Sequence, residues 1–169
     1  MADNRIEEVV VSATRRDTAL MDTPLSIAVV SGEDIETKGI ADFQTLYQTV
    51  PGMNYRSNGS TYNTVGIRGV TGPGEGGSTV GIYIDNVSVT DSNTGGGISQ
   101  VQGSVFDLQS IEVLKGPQGT LYGESTLGGA IRYISNAPDP SQFDFGLKLE
   151  TEQMQDSDDP SFRVNAMVN

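Results

Sequence analysis

Residues Ile111–Asn136 read IEVLKGPQGTLYGESTLGGAIRYISN. An apolar-alternating run, Ile111 to Leu114, stops at Lys115-Gly116-Pro117, and a second strand-like run spans Ala130 to Ser135. Between them lie Gly119, Gly123, Gly128 and Gly129. Glycine loses more conformational freedom on folding than any other residue. A cluster of it between two strands therefore implies tight turns, close backbone approach or a segment built to rearrange.

Working outward, the N-terminal side supplies further strands and two short helices. Leu25 to Val30 reads as a buried strand. Ser31 with Asp34 three residues on is a capping-box-like start for a helix that reaches about Lys38 and stops at Gly39. Asp42 is placed to cap a second helix through Phe43, Leu46 and Tyr47, which ends at Thr49-Val50-Pro51-Gly52. Met53 to Arg56 is extended, and Thr64 to Val70 is a strand with Arg68 inside it. Thr79 to Val89 alternates, with a turn or bulge at Asp85-Asn86. Val105 to Ser110 reads as a helical turn that delivers the chain into Ile111. Three polar or glycine-rich loops, Ser57–Asn63, Thr71–Ser78 and Asp91–Gly103, separate these elements.

At the N-terminus, Ile6 to Thr14 carries the β-prone Val9-Val10-Val11. On residue pattern alone it is either a core strand or a strand that docks on another protein's sheet edge. At the other end, Phe143, Phe145, Leu147 and Leu149 alternate with polar residues or glycine, and Phe162, Val164, Ala166 and Val168 alternate with Arg163, Asn165, Met167 and Asn169. Two such strands fit a membrane β-barrel hairpin or a half-buried soluble one. The chain stops at the end of the second strand, which favours a truncated protein.

Composition narrows the chemistry. The 169 residues contain no cysteine and no histidine, which removes disulfides, thiol nucleophiles, imidazole bases and the usual zinc sites. The net charge of −12 makes nucleic acid a poor partner. No apolar run is long enough for a transmembrane helix, and MADNRIEE lacks the basic and apolar regions of a signal peptide. Gly72 to Gly77 matches G-x-G-x-x-G, but it leads into a strand where the dinucleotide fingerprint needs a helix. Asp156 to Asp159 opens like a calcium loop, yet Ser161 and Met167 stand where glycine and glutamate are required. No carboxylate pair or nucleophile elbow is recognisable, so neither an enzyme nor a cofactor-binding protein is expected. Arg68 and Glu112 are charges inside apolar strands, and either a salt bridge within the fold or an anchor to a surrounding structure would satisfy them.

In order and spacing, IEEVVVSATRR, PLSIAVVSGEDIE, LYQTVPGMN, VGIRGV, VGIYIDNVSV and IEVLKGPQGTLYGESTLGGAIRYISNAPDP resemble the plug domain of TonB-dependent outer-membrane receptors. The resemblance implies an α+β fold: a small mixed β-sheet with short helices, followed by two β-strands belonging to a truncated outer-membrane β-barrel. The expected organisation is a flexible segment over 1–24, a plug over 25–140 and barrel strands over 141–169. It implies location in the outer membrane of a Gram-negative bacterium, with the plug inside the barrel lumen and the N-terminus periplasmic. The implied partners are TonB with ExbB and ExbD, the protein's own barrel, and a scarce solute such as a ferric siderophore, cobalamin or an oligosaccharide. Signalling without transport, or glycan binding by a soluble module, are the competing readings.

The resemblance also assigns residues. Ile6, Glu7, Glu8, Val9, Val10, Val11, Ser12, Ala13 and Thr14 align with the TonB box, which turns Val9-Val10-Val11 into a docking strand. Ser12 stands where threonine is common. Arg68, Glu112 and Lys115 are the expected plug–barrel latch, with Lys115 where the family usually has arginine; lysine lacks the bidentate fork. Arg56, Tyr62, Glu75, Asp91 and Asn93 in the apical loops are the expected ligand contacts.

Overall fold

The computed structural model describes residues 10–12, 18–40, 43–57, 63–72, 78–90, 105–141, 143–152 and 161–168. In chain order its elements are β1 (Val10–Val11), β2 (Thr18–Ala19), β3 (Ile27–Ser31), α1 (Gly32–Thr37), α2 (Phe43–Thr49), β4 (Met53–Ser57), β5 (Asn63–Ile67), β6 (Val80–Ile84), β7 (Val87–Ser88), β8 (Leu108–Lys115), α3 (Gly119–Tyr122), β9 (Gly129–Ser135), β10 (Phe145–Glu152) and β11 (Ser161–Val168). The chain divides into two compact units, residues 1–135 and 136–169.

The first unit is built on a five-stranded mixed sheet of order β3-β8-β9-β6-β7. β8 is antiparallel to both β3 and β9, and β9 runs parallel to β6. The order explains why β8 and β9 are so apolar: each is flanked by strands on both sides and covered on both faces. One face carries the main core. Val30, Ile82, Ile111, Val113 and Ile131 pack there with Ile35 of α1, Leu46 of α2, and Met53, Val65 and Ile67 of the β4–β5 hairpin. Burying each such side chain contributes about 1.5–3 kcal/mol. The opposite face holds a smaller cluster, Tyr83, Leu114, Ala130 and Tyr122, with Ile27 against it.

Local chemistry sets the elements as expected at several places. Ser31 caps α1, its Oγ accepting from the Asp34 amide at 3.1 Å. Gly39 follows at φ 62°, and the Ile40 amide returns to the Ile35 carbonyl at 2.9 Å, the αL stop of a helix. Lys38 Nζ lies 2.7 Å from Asp34 Oδ1, and this hydrogen bond from Lys38 holds the Asp34 carboxyl below its ordinary value. The expected cap at Asp42 lies outside the described residues.

Two expectations are corrected. Residues 108–110 form the start of β8 rather than a helical turn, because Leu108 and Ser110 pair with Ser135 and Ile134. Arg68 is not inside a strand: β5 ends at Ile67, and Arg68-Gly69 is a two-residue turn with both φ positive, at 54° and 78°. The Ile67 and Val70 amides and carbonyls close it at 3.2 and 3.0 Å, the pattern of a twist-matched hairpin turn.

Within the glycine cluster, Gly129 serves close approach. A Cβ on Gly129 would stand 2.2 Å from the Leu114 carbonyl oxygen and 2.8 Å from Ile67 Cδ1, at a φ of 151° that side chains rarely adopt. Between β8 and β9 the chain also makes one short helix, α3, whose Tyr122 folds back on the second face of the sheet.

In the second unit β10 and β11 pair over their full length, from Phe145↔Val168 to Glu152↔Ser161. Phe145, Leu147 and Leu149 fall opposite Val168, Ala166 and Val164, so the apolar residues form one face, and it is exposed.

Candidate functional site

Three sets of charged residues stand out, each set up by a different part of the fold. The first lies mid-sheet on the second face. Register places Val29, Glu112, Arg132 and Tyr83 side by side across β3, β8, β9 and β6. Arg132 Nη1 bonds Glu112 Oε2 at 2.6 Å, with both side chains at most 3% exposed. The N-terminal segment closes over this pair. Val11 is fully buried, the Ser12 amide donates to Glu112 Oε1 at 2.8 Å, and Ser12 Oγ accepts from Arg132 Nη1 at 2.9 Å. β1 meanwhile pairs with β2, Val10 opposite Ala19 and Val11 opposite Thr18. From the other side Arg132 Nη2 reaches the Asp85 carbonyl at 3.4 Å, and its Cζ lies 5.8 Å from the centre of the Tyr122 ring. The Tyr83 hydroxyl donates to the Tyr122 carbonyl, and the two rings meet edge to face at 5.0 Å.

Glu112 therefore departs from the expected barrel latch. Its carboxylate is buried, and among the described residues it is held by Arg132 and the Ser12 amide of this same chain. Arg132 went unrecognised in the sequence, although its signal matched that of Glu112: a lone charge at the centre of an apolar strand, here Ala130 to Ile134.

The second set is Arg68 with Lys115. Arg68 is exposed, its Nη2 donating to Ser26 Oγ at 2.6 Å and its Nη1 to the Lys115 carbonyl at 3.5 Å. Its amide bonds the Gly52 carbonyl at 2.7 Å, and the Lys115 amide bonds the Ser26 carbonyl at 2.8 Å. Two predicted latch cations, 47 residues apart in sequence, are thus brought to one end of the sheet. Among the described residues neither has a carboxylate at ion-pair distance.

The third is Arg56, exposed on β4 opposite Thr64. It lines an open cleft of about 360 Å³ with Asn54, Tyr55, Thr64, Gly69, Thr71 and Gly72. Tyr62, Glu75, Asp91 and Asn93, predicted to act with it, lie outside the described residues, as do Ile6, Glu7, Glu8, Val9, Ala13 and Thr14 of the predicted docking strand. Among the described residues no group of three or more carboxylates is placed to hold a metal ion.

A mixed sheet with short helices, an N-terminal strand docked on it, and Arg68 and the half-buried Lys115 at one end make up the domain. The sequence model of the TonB-dependent receptor plug domain matches residues 19–130, and the chain belongs to that family. It is 34% identical over 117 residues to the pesticin receptor of Yersinia pestis, covering 68% of this chain and 16% of that protein. It is 33% identical over 153 residues to the iron-regulated outer membrane virulence protein of Vibrio cholerae, covering 86% of this chain and 22% of that one. The crystal structure of the ferric yersiniabactin uptake receptor FyuA from Yersinia pestis superposes with a TM-score of 0.59 at 28% identity, over 78% of this chain and 22% of that one. The chain thus spans roughly a fifth of the length of the relatives it matches.

Proposed function

We propose that the chain is the plug, with the first barrel hairpin, of an energy-coupled transporter in a Gram-negative outer membrane. The observation that carries this beyond family membership is the β10–β11 hairpin. Phe145, Leu147, Leu149, Phe162, Val164 and Val168 are each more than half exposed, and all stand on one face in register. A water-exposed hairpin with such a face is costly, whereas in a bilayer that face meets lipid and the alternate residues meet the lumen. This favours a barrel-embedded plug over a free-standing signalling or glycan-binding module.

In this reading Arg68 and Lys115 dock the plug on barrel carboxylates. A non-glycine residue at φ 54° is uncommon, and an arginine held there by bonds to Gly52, Ser26 and Lys115 suits a group aimed at an outside partner. Arg56, with Tyr62, Glu75, Asp91 and Asn93, meets the solute. Two of the relatives are named for iron regulation or ferric yersiniabactin uptake, so a ferric chelate is the solute class to test first, with cobalamin and oligosaccharides as the other arms. Residues 6–14 donate a strand to TonB, which with ExbB and ExbD supplies the work for moving the plug.

The test is Val10→Pro in the full-length receptor, which removes a backbone donor from the docking ladder. Uptake is expected to be lost while solute binding to cells persists. Unchanged uptake would refute the docking-strand assignment.

A further inference from the structure

We propose that the cleft on the outer face of the β4–β5 hairpin is a carboxylate-binding subsite anchored by Arg56, and that the solute is a ferric chelate bearing a free carboxylate. This deepens the reading above that Arg56 meets the solute, and rests on it. Register builds the cleft. Arg56 lies opposite Thr64 and Asn54 opposite Gly66. Alternation therefore puts Asn54, Arg56 and Thr64 on one face of the hairpin, while Met53, Tyr55, Val65 and Ile67 face the core. The turn at Arg68-Gly69 sends the chain back, and Thr71 and Gly72 line the cleft beside them. Gly66 makes room for this closure, because a Cβ there would collide with Asn54 Oδ1 and Thr71 Cγ2.

The lining suits an anion. Arg56 is exposed, and among the described residues neither its guanidinium nor the side chains of Asn54, Thr64 and Thr71 have a hydrogen-bond or ion-pair partner. The described lining residues include this one cation and no carboxylate, on a chain whose net charge is −12. An anion is repelled over most of such a surface and attracted here. A guanidinium offers a carboxylate two parallel donors, and the hydroxyls of Thr64 and Thr71 and the Asn54 amide add neutral donors around it. At about 360 Å³ the cleft has the size of a small-molecule site. A sugar ring would instead pack on a bare aromatic face. Tyr55 is the one aromatic among the described lining residues, and its ring is already stacked on Tyr47, with centroids 6.0 Å apart and planes at 23°.

The experiment measures equilibrium binding of three probes to the full-length receptor in detergent: ferric citrate, a ferric trihydroxamate without a free carboxylate, and cyanocobalamin. Ferric citrate is expected to bind most tightly. Arg56→Gln should weaken it about tenfold or more, the loss of a charge-assisted hydrogen-bonded pair. Arg56→Lys keeps the charge without the fork and should recover part of that loss. Raising the salt concentration should weaken the parent and leave Arg56→Gln little changed. The other two probes should bind weakly and ignore Arg56→Gln. The unfolding midpoint should stay the same throughout, since Arg56 is exposed.

Tight binding of the trihydroxamate or of cyanocobalamin without binding of ferric citrate overturns the carboxylate assignment and leaves the transport reading standing. Equal weakening of all three probes by Arg56→Gln overturns the specificity while keeping Arg56 against the solute. Ferric citrate binding that Arg56→Gln leaves unchanged overturns the cleft as the subsite, and with it the reading that Arg56 meets the solute. Binding of none of the three overturns the carboxylate assignment together with the ferric-chelate reading beneath it.

Discussion

Glu112 and Arg132 show how a single charged side chain in an apolar strand acquires its meaning from what faces it. Each alone would be a buried charge, and removing either should cost about 3–5 kcal/mol because the other is left uncompensated. We expect Glu112→Gln and Arg132→Met each to lower stability by that order in chemical denaturation. The double variant Glu112→Leu with Arg132→Met should recover most of the loss, since a well-packed apolar pair of similar volume replaces an ion pair at little net cost. A double variant as unstable as the sum of the singles would count against direct pairing. Arg68 is the contrasting case: it is exposed, at φ 54°, with its guanidinium bonded, among the described residues, to Ser26 and a carbonyl. Its neighbour Lys115 brings a second cation to the same end of the sheet, and substituting Arg there supplies the two-pronged donor that lysine lacks. If these cations dock on a surrounding barrel, as proposed, Lys115→Arg should tighten that docking, read as greater resistance of the full-length receptor to plug release by denaturant.

Among the elements, α1 is the one whose stability can be assigned to named groups. It has six residues, too few to form alone, so its cap and its packing through Ile35 decide whether it exists. Ser31→Ala should cost about 1 kcal/mol, measured by denaturation. Asp34 adds a pH dependence of known sign. Its folded value is depressed, mainly by the hydrogen bond from Lys38. The stability it contributes is complete above its ordinary unfolded value and fades as pH falls through the lower folded one. Asp34→Asn should flatten that part of the acid limb, slightly, because the group is solvent-exposed. The short β1 segment illustrates the opposite dependence: with two residues it has no stability of its own, and its position is set by Val11 and Ser12 against the sheet.

At the scale of the whole molecule, the β10–β11 hairpin and the plug sheet obey different rules. The sheet buries both faces of β8 and β9, and the hairpin buries neither. If the hairpin's apolar face meets lipid, Leu147→Arg should cost about 2–4 kcal/mol at mid-membrane depth. Lys148→Arg, on the alternate face, should cost little. Folding of the full-length receptor into lipid vesicles with denaturant titration separates the two, and equal effects would argue against a lipid-facing side.

Alternation, capping residues and glycine placement are properties of neighbours in sequence, and they were legible there. The β3, β6, β8 and β9 strands, the start of α1 at Ser31, the stop at Gly39 and the apolar faces of the terminal hairpin all follow from rules acting over a few residues. Family membership was legible for the same reason, since the plug pattern is a series of such local signals in fixed order. What the sequence could not decide is which charges meet. Glu112 and Arg132 come together only because β8 and β9 pair in one register, where a one-residue slip would turn every side chain to the opposite face. The start of β8 at Leu108 was hidden similarly, because its ladder partners lie on a strand more than twenty residues away. Ile111–Asn136 thus encoded by itself two strands and a glycine turn. Only the tertiary structure made its Glu112 an internal partner of Arg132 and Ser12, because pairing of buried charges is settled by distance in the folded chain rather than by spacing along it.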